Sequence, residues 1–303
     1  MRKDLVSVAD LTADDFWRII RRAVELKREG RSSLLEGKTM ALVFEKPSLR
    51  TRVSFDVAMY QLGGHALYLS DAEVGLGRRE PISDAARVLS RYVDVIVART
   101  FAQETVEALA AHATVPVINA LSDTEHPCQV VADFLTIYEK KGAVVGLTLA
   151  FVGDGNNVAS SLLLASALMG VNFRIASPPG YELGEWVVGL GQRLAQPGGV
   201  LTLLADPYAA VQGADVVYTD VWTSMGQEAE AEARRRAFEG FQVTAELLAA
   251  AKPDAILMHP LPAHHGEEVA EGLIDCPQSV VFDQAENRLH AQKAILLEVM
   301  GIA

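Results

Sequence analysis

Cysteine is nearly absent from this chain of 303 residues: there are two, Cys128 and Cys276. That count does not indicate a disulfide framework and makes a reducing compartment the expectation. Basic residues are outnumbered, 27 Lys and Arg against 39 Asp and Glu, for a formal net charge of -12. That balance argues against general nucleic-acid or anionic-membrane binding, which needs a basic face. A small basic pocket for an anionic substrate remains compatible with that balance. Long apolar runs are missing too. The longest, around AVVGLTLAFVG, falls well short of the ~18 residues of a membrane span. The opening stretch MRKDLVSVADLTADD meets acid within a few residues and has no apolar core of a signal peptide. With 50 % hydrophobic and 22 % charged residues, a cytoplasmic globular protein with a sizeable core is expected. Its length corresponds to about two domains.

What is present is an alternation of short apolar runs and helical patterns. Thr12 followed by Asp15 reads as a capping box before a helix through Leu26. Strands are expected at 39–45, 65–70, 93–98, 115–120, 147–153, 172–177, 200–205, 214–220, 255–259 and 279–282. Near-continuous apolar strands separated by helices imply parallel sheets covered on both faces. The fold class is thus α/β, with two doubly wound domains, each a mainly parallel sheet flanked by helices. The helix in HPCQVVADFLTIYEKKG runs to a Lys-Lys-Gly stop before a fresh strand, which places the domain boundary inside it. Charged loops are expected at 71–81 and 224–241. The second has Glu early and Arg late, as a solvated helix does.

Ligands of open parallel sheets sit beyond the carboxyl ends of the strands, so the residues after each strand matter most. Ser48, Arg50, Thr51 and Arg52 follow the first, and Arg99 closes the third. His126 and Gln129 come soon after the fourth, Asn156 and Asn157 after the fifth. Asp220, with Ser224 close behind, ends the eighth, and His259 the ninth. FEKPSLRTRVSF, residues 44–55, puts two arginines and two hydroxyls at a helix start, a suitable place for an oxyanion or phosphate. The alternative is a capped helix with solvated or paired arginines. His126 and Gln129 share a face at another helix start, where histidine can polarise a carbonyl and glutamine can bind an amide. Cys128 reads as a core residue.

Two further motifs fall short of their usual meaning. FVGDGNNVASS has Gly153 and Gly155 but Val158 where a third glycine belongs, and the next strand ends at Ser177. That is a poor dinucleotide fingerprint. HPLPAHHGEE holds His259, His264, His265, Glu267 and Glu268, at spacings that match no standard metal-ligand pattern.

Together these segments resemble the aspartate/ornithine carbamoyltransferase family, in its ornithine-using branch. The resemblance runs from LTADDFWRII through SLRTR, HPCQ, VGDGNN and TDVWTSMGQE to FDQAENRLHAQKAIL. It implies a carbamoyl phosphate-binding domain of residues 1–135 plus 286–303 and an amino acid-binding domain of residues 136–285, joined by interdomain helices. It further implies transfer of the carbamoyl group to the δ-amine of ornithine, in arginine metabolism, with no metal or organic cofactor. The partners implied are the two small substrates and further copies of the chain, as a homotrimer or an assembly of trimers. By the same resemblance Ser48, Leu49 (through its backbone), Arg50, Thr51 and Arg99 would hold the phosphate. His126 and Arg99 would polarise the carbamoyl oxygen, and Arg50, Arg99 and His126 would form the catalytic set. Gln129 and the carbonyl of Leu261, in the Pro260–Leu261 segment, would receive the carbamoyl amide, with Arg288 beside them. Asn157, Asp220, Ser224 and Met225 would hold ornithine. Arg52 is assigned to structural pairing.

Three positions depart from the family pattern. Leu49 replaces a usual threonine, Gly75 a glutamine that reaches into a neighbouring copy, and Pro260 the cysteine of the ornithine branch. Arg78 or Arg79 is the expected substitute for that glutamine. Proline brings neither thiol nor N–H. Other acceptors (aspartate, putrescine, an N-modified ornithine) and a catalytically weak regulatory paralogue are the competing readings.

Overall fold

A computed structural model describes residues 3–224 and 226–302. The chain divides into two compact units, Met1–Leu135 with Glu286–Ala303, and Thr136–Ala285.

The first unit contains α1 (Ala13–Glu29), β1 (Thr39–Phe44), α2 (Leu49–Gln61), β2 (His65–Ser70), α3 (Asp71–Val74), α4 (Ile82–Leu89), β3 (Val95–Arg99), α5 (Gln103–His112) and β4 (Val117–Leu121). The capping box opens α1 as expected, Thr12 and Asp15 bonding reciprocally, and Gly30 at φ 80° ends it. Phe16, Ile19, Ile20, Ala23 and Leu26 form its buried stripe, at the i, i+3, i+4, i+7 spacing of a core-facing helix. The sheet order is β2-β1-β3-β4, with every pair parallel. The order reverses between β1 and β3, so their carboxyl ends flank a crevice.

The second unit holds a five-stranded sheet of order β7-β6-β5-β8-β9, also parallel throughout. α6 (Pro127–Lys141) leads into β5 (Thr148–Val152), followed by α7 (Asn157–Met169), β6 (Asn172–Ala176), α8 (Glu185–Leu194) and β7 (Leu201–Leu204). Then come α9 (Pro207–Val211), β8 (Val216–Thr219), α10 (Ala231–Ala237), α11 (Ala245–Ala249), β9 (Ile256–Met258) and α12 (Val281–Val299). Here the order reverses between β5 and β8. The boundaries between the units fall inside α6 and α12.

Both central strand pairs are pinned in the same way at their amino ends. Asp94, just before β3, accepts from the first N–H of β1, Thr39, at 2.9 Å and from Lys38 Nζ at 2.9 Å. Asp215, just before β8, accepts from the first N–H of β5, Thr148, at 2.9 Å and from Lys252 Nζ at 2.7 Å.

Two expectations are corrected. Residues 279–282 do not form a strand: Ser279 makes a single bridge to Leu257, and α12 starts at Val281. A short buried apolar run carries no period that separates strand from helix start. The segment 71–81 is also not irregular throughout, since α3 opens it and a Leu76–Glu80 bridge closes its turn.

Candidate active site

In the first unit, Phe44 at the end of β1 is the register partner of Arg99 at the end of β3. The pairing of β3 with β4 shifts register between Ala98 and Arg99, so the regular ladder ends at Arg99. Ser48 caps α2, its hydroxyl accepting from Thr51 N at 3.3 Å. Thr51 is fully buried, and its hydroxyl oxygen accepts from Arg288 Nη2 at 2.7 Å. Arg288 Nη1 donates to Gln129 Oε1 at 2.8 Å, and Gln129 Nε2 to Asp133 Oδ1 at 2.8 Å. The residues after β1, at the start of α6 and within α12 are thereby tied into one string. The dipole of α2 adds positive potential at its start.

The electrostatics are those of a concentrated cation site. Burial pulls the Arg99 guanidinium down to about 10, and the charges of Arg288 and Arg50 pull the same way. Among the described residues Arg99 Nε has no hydrogen-bond partner. His126 lies just before Pro127, the first residue of α6, and is 5 % exposed. Burial holds its pKa well below the ordinary value, helped by Arg288, Arg99 and Arg50 in that order. The imidazole is therefore neutral near pH 7, a donor or acceptor rather than a cation. Desolvated like charges are costly unless an anion joins them.

The structure thus brings together Ser48, Arg50, Thr51, Arg99, His126, Gln129 and Arg288. Leu49 is the first residue of α2, its side chain 74 % exposed. Arg52 lies apart, stacked over the Tyr68 ring with 3.8 Å from Cζ to the centroid. Lys46 belongs to the same surroundings and was missed. Its ammonium sits over the Phe101 ring at 4.5 Å, and burial, then Arg99, lowers its pKa. Its place inside FEKPSLRTR was the available signal. Gly75 ends α3 at φ 58°, in the left-handed region, which glycine adopts without cost. Near it Arg78 pairs with Asp71, and Arg79 Nη1 reaches Glu73 O at 3.3 Å.

In the second unit, Val152 of β5 and Thr219 of β8 are register partners, and polar residues follow both. A Cβ on Gly155 would lie 2.4 Å from Leu183 N and 2.5 Å from Glu182 C. This glycine serves a close approach of two backbones, which explains a GDG motif without a dinucleotide fingerprint. Asn156 caps α7, its Oδ1 accepting from Val158 N and Ala159 N, and its Nδ2 donates to Asp220 Oδ2 at 2.8 Å. Asp220 also accepts from Val221 N at 2.8 Å. Burial pushes its pKa up, against His259 and these two bonds. A buried carboxylate in that condition is suited to an ammonium group. Asn157 is half-buried as the first residue of α7. Ser224 N donates to Gln227 Oε1 at 3.1 Å. Met225 lies outside the described residues.

Pro260 is buried, and Leu261 follows at φ 57° with a cis bond to Pro262. Leu261 N donates to His259 Nδ1 at 2.9 Å. The ring proton must then sit on Nε2, which faces Glu268 Oε1 at 3.1 Å. His264, Glu267 and Glu268 also gather, with ligand atoms within 4.8 Å of one another. Glu267 and Glu268 already serve Arg235 and His259.

The expected solvated helix at 224–241 needs correction at one residue. Arg235 and Arg236 of α10 are exposed, but Arg234 is buried. It donates to Asp154 Oδ2 at 2.8 Å, Trp222 O at 3.0 Å and Glu230 Oε2 at 3.1 Å, with its guanidinium over the Tyr181 ring. Burial raises Asp154 to about 6, opposed by Arg234. Arg234 thus links the segment that carries Asp220 and Ser224 to the loop that carries Asn156. The i, i+4 spacing from Glu230 imitates a surface pair, and nothing local in the sequence reveals its burial.

Residues 3–139 match the family profile described as aspartate/ornithine carbamoyltransferase, carbamoyl-P binding domain, and residues 145–299 match the Asp/Orn binding domain of the same family. The curated anabolic ornithine carbamoyltransferase of Pyrococcus furiosus is 56% identical, covering 99% of this chain and 96% of that protein. The Anoxybacillus flavithermus ornithine carbamoyltransferase is 54% identical, with 98% and 96% covered. The solved structure of the Pyrococcus furiosus enzyme superposes with a TM-score of 0.95, covering 98% of this chain and 97% of that one. The anabolic ornithine carbamoyltransferase of Campylobacter jejuni, 38% identical, also superposes with a TM-score of 0.95, covering 99% of each chain. With both domain profiles matched and the polar strand ends in place, this chain belongs to the aspartate/ornithine carbamoyltransferase family.

Proposed function

We propose that the protein transfers the carbamoyl group of carbamoyl phosphate to the δ-amine of L-ornithine, giving L-citrulline and phosphate. The observation that carries this reading is the gathering of Arg50 of α2, Arg99 of β3 and Arg288 of α12, the last bonded to Thr51 and Gln129, around the buried His126 just before α6. A dianionic phosphate offsets the repulsion among the guanidiniums. The neutral amine attacks the carbamoyl carbon, and the carbonyl oxygen takes up negative charge. Donors from His126 and Arg99 stabilise that oxyanion. The C–O bond to phosphate then breaks, and the cations that bound the phosphate stabilise it as leaving group. The amine loses one proton, for which the departing phosphate is the acceptor in a chain with no thiol at Pro260. Gln129 and the carbonyl of Leu261 receive the carbamoyl amide. Asn157, Asp220, Ser224 and Met225 hold the amino acid, Asp220 opposite its α-ammonium.

We further read the protein as a cytoplasmic homotrimer or assembly of trimers. Leu49, Val53 and Tyr60, all exposed, recur on one face of α2 in support of a covering partner. Among the described residues no helix is long and apolar enough to cross a membrane.

The test is a panel of amines, with carbamoyl phosphate, assayed for ureido product and phosphate. Turnover with ornithine alone is the expected result. Turnover with aspartate, putrescine or an N-modified ornithine instead, or with no amine, overturns the assignment. Light scattering checks the trimer.

A further inference from the structure

The residue before His126 is a buried acid. Glu125 is 2 % exposed, and its carboxylate reaches the far end of the sequence. Ser7 Oγ donates to Glu125 Oε1 at 2.5 Å, and Val8 N donates to Oε2 at 2.9 Å. Ser7 is also the cap of the short 3₁₀ turn Val8–Asp10, its hydroxyl accepting from Ala9 N at 3.1 Å.

That N-terminal segment is itself fixed along the edge of β4. Leu5 N donates to Val117 O at 2.9 Å, Asn119 N donates to Leu5 O at 2.8 Å, and Asp4 Oδ1 accepts from Val117 N at 2.8 Å. Leu5 and Val8 are fully buried. A second set of bonds runs from the segment to the loop between β4 and α6. Asn119 Nδ2 donates to Val6 O at 3.0 Å and to Gln103 Oε1 at 3.2 Å, and Ser122 Oγ donates to Gln103 Oε1 at 2.6 Å. Ser122 and Glu125 close the loop on each other, Ser122 N to Glu125 O at 2.9 Å and Glu125 N to Ser122 Oγ at 3.1 Å.

We propose that Glu125, held by Ser7 and Val8, is a positioning residue for His126, so that the N-terminal segment is part of the catalytic apparatus. The proposal rests on the reading of His126 as a donor to the carbamoyl oxygen. A backbone shift at Glu125 displaces the adjacent imidazole, and a misplacement of about 1 Å can cost on the order of 100-fold in rate. The loop also touches the residues after Arg99, Thr100 N donating to Leu121 O and Asp123 N to Phe101 O at 2.9 Å each, but the bonds to the Glu125 carboxylate described above come from Ser7 and Val8, so rate should fall much further than phosphate affinity.

The experiment compares Glu125→Ala, Glu125→Gln, Ser7→Ala and His126→Ala in the full-length protein. It measures kcat, the KM for ornithine and inhibition by inorganic phosphate, at a temperature where circular dichroism shows each variant folded. Glu125→Ala should lower kcat by about 10- to 100-fold, with KM for ornithine and the phosphate inhibition constant within about twofold of the parent. Glu125→Gln should recover most of the rate, because its Oε1 can accept from Val8 N and its Nε2 can donate to Ser7 Oγ. Ser7→Ala should fall between the two. Parental kcat in Glu125→Ala overturns the proposal, as does Glu125→Gln no better than Glu125→Ala. An equal loss of phosphate affinity overturns it too, since that marks general loosening of the unit. His126→Ala separates the levels. If it is crippled while Glu125→Ala is not, the positioning role alone fails. If it keeps the parental rate, the reading of His126 fails and the proposal with it.

Discussion

Arg288 and Thr51, 237 positions apart in the sequence, meet through a hydrogen bond of 2.7 Å from guanidinium to hydroxyl, both side chains buried. Thr51 belongs to α2 and Arg288 to α12. The contact fixes where one of the three cations points before any substrate arrives. Thr51→Val keeps the shape and removes the acceptor. It should raise the KM for carbamoyl phosphate by about 10-fold, about 1.4 kcal/mol. Steady-state kinetics with ornithine saturating checks this. Thr51→Ser should behave like the parent.

His126 should not titrate in the working range. Burial and three neighbouring guanidiniums keep its pKa well below the ordinary value, so the neutral ring persists from pH 6 upward. Its ring resonances in an NMR titration should stay constant between about pH 6 and 8. His126→Asn should lower kcat by about 10²–10³ and leave the shape of the pH–rate profile between about pH 6 and 8 unchanged.

Asp154 gives a pH dependence of the opposite kind to a salt-bridged surface acid. Its carboxyl is raised to about 6 by burial, whereas the unfolded chain titrates near its ordinary ~3.9. Between those values the native state binds a proton that the unfolded state does not. Its contribution to stability is therefore full below about pH 4 and is lost as pH rises through about 6. Relative to Asp154→Asn, the parent should lose up to about 3 kcal/mol across that window, measured by urea unfolding at successive pH values. Activity should respond inversely. Protonated Asp154 no longer pairs with Arg234, so the KM for ornithine should climb as pH falls below about 6. Arg234→Met should show a raised KM for ornithine at every pH, by about 10-fold or more.

Gly155 tests the reading of the GDG motif. A methyl group there meets the backbone of Glu182 and Leu183 at 2.4–2.5 Å, which no side-chain rotation relieves. Gly155→Ala should cost about 1–3 kcal/mol of stability. A differential scanning calorimetry trace should show the fall, with no change in affinity for any nucleotide.

The strand ends were legible because chemistry and topology coincide there. An apolar run that stops at Arg99 or Asp220 announces both the strand and the candidate site. Ser48, Arg50 and His126 were readable for the same reason, each at a helix start just beyond a strand. Arg234 was not, because its burial depends on Asp154, 80 residues away, and its own helix shows an ordinary surface charge pattern. The tautomer of His259 was equally hidden, since the backbone N–H of Leu261 decides it. The 279–282 run was misread because burial on all sides removes the periodicity that separates strand from helix.

Asp94 and Asp215 close the amino ends of the two central strand pairs with the same bond pattern, while the opposite ends carry Arg99 and Asp220. Each sheet is therefore polarised into an end that anchors and an end that carries the candidate site. Random substitutions should sort along that axis. Those near Asp94, Lys38, Asp215 and Lys252 should surface as poor yield or early aggregation with near-normal specific activity in the fraction that folds. Those at the other end should surface as well-behaved protein that turns over slowly. A library scored separately for soluble expression and for citrulline formation would divide each strand near its middle.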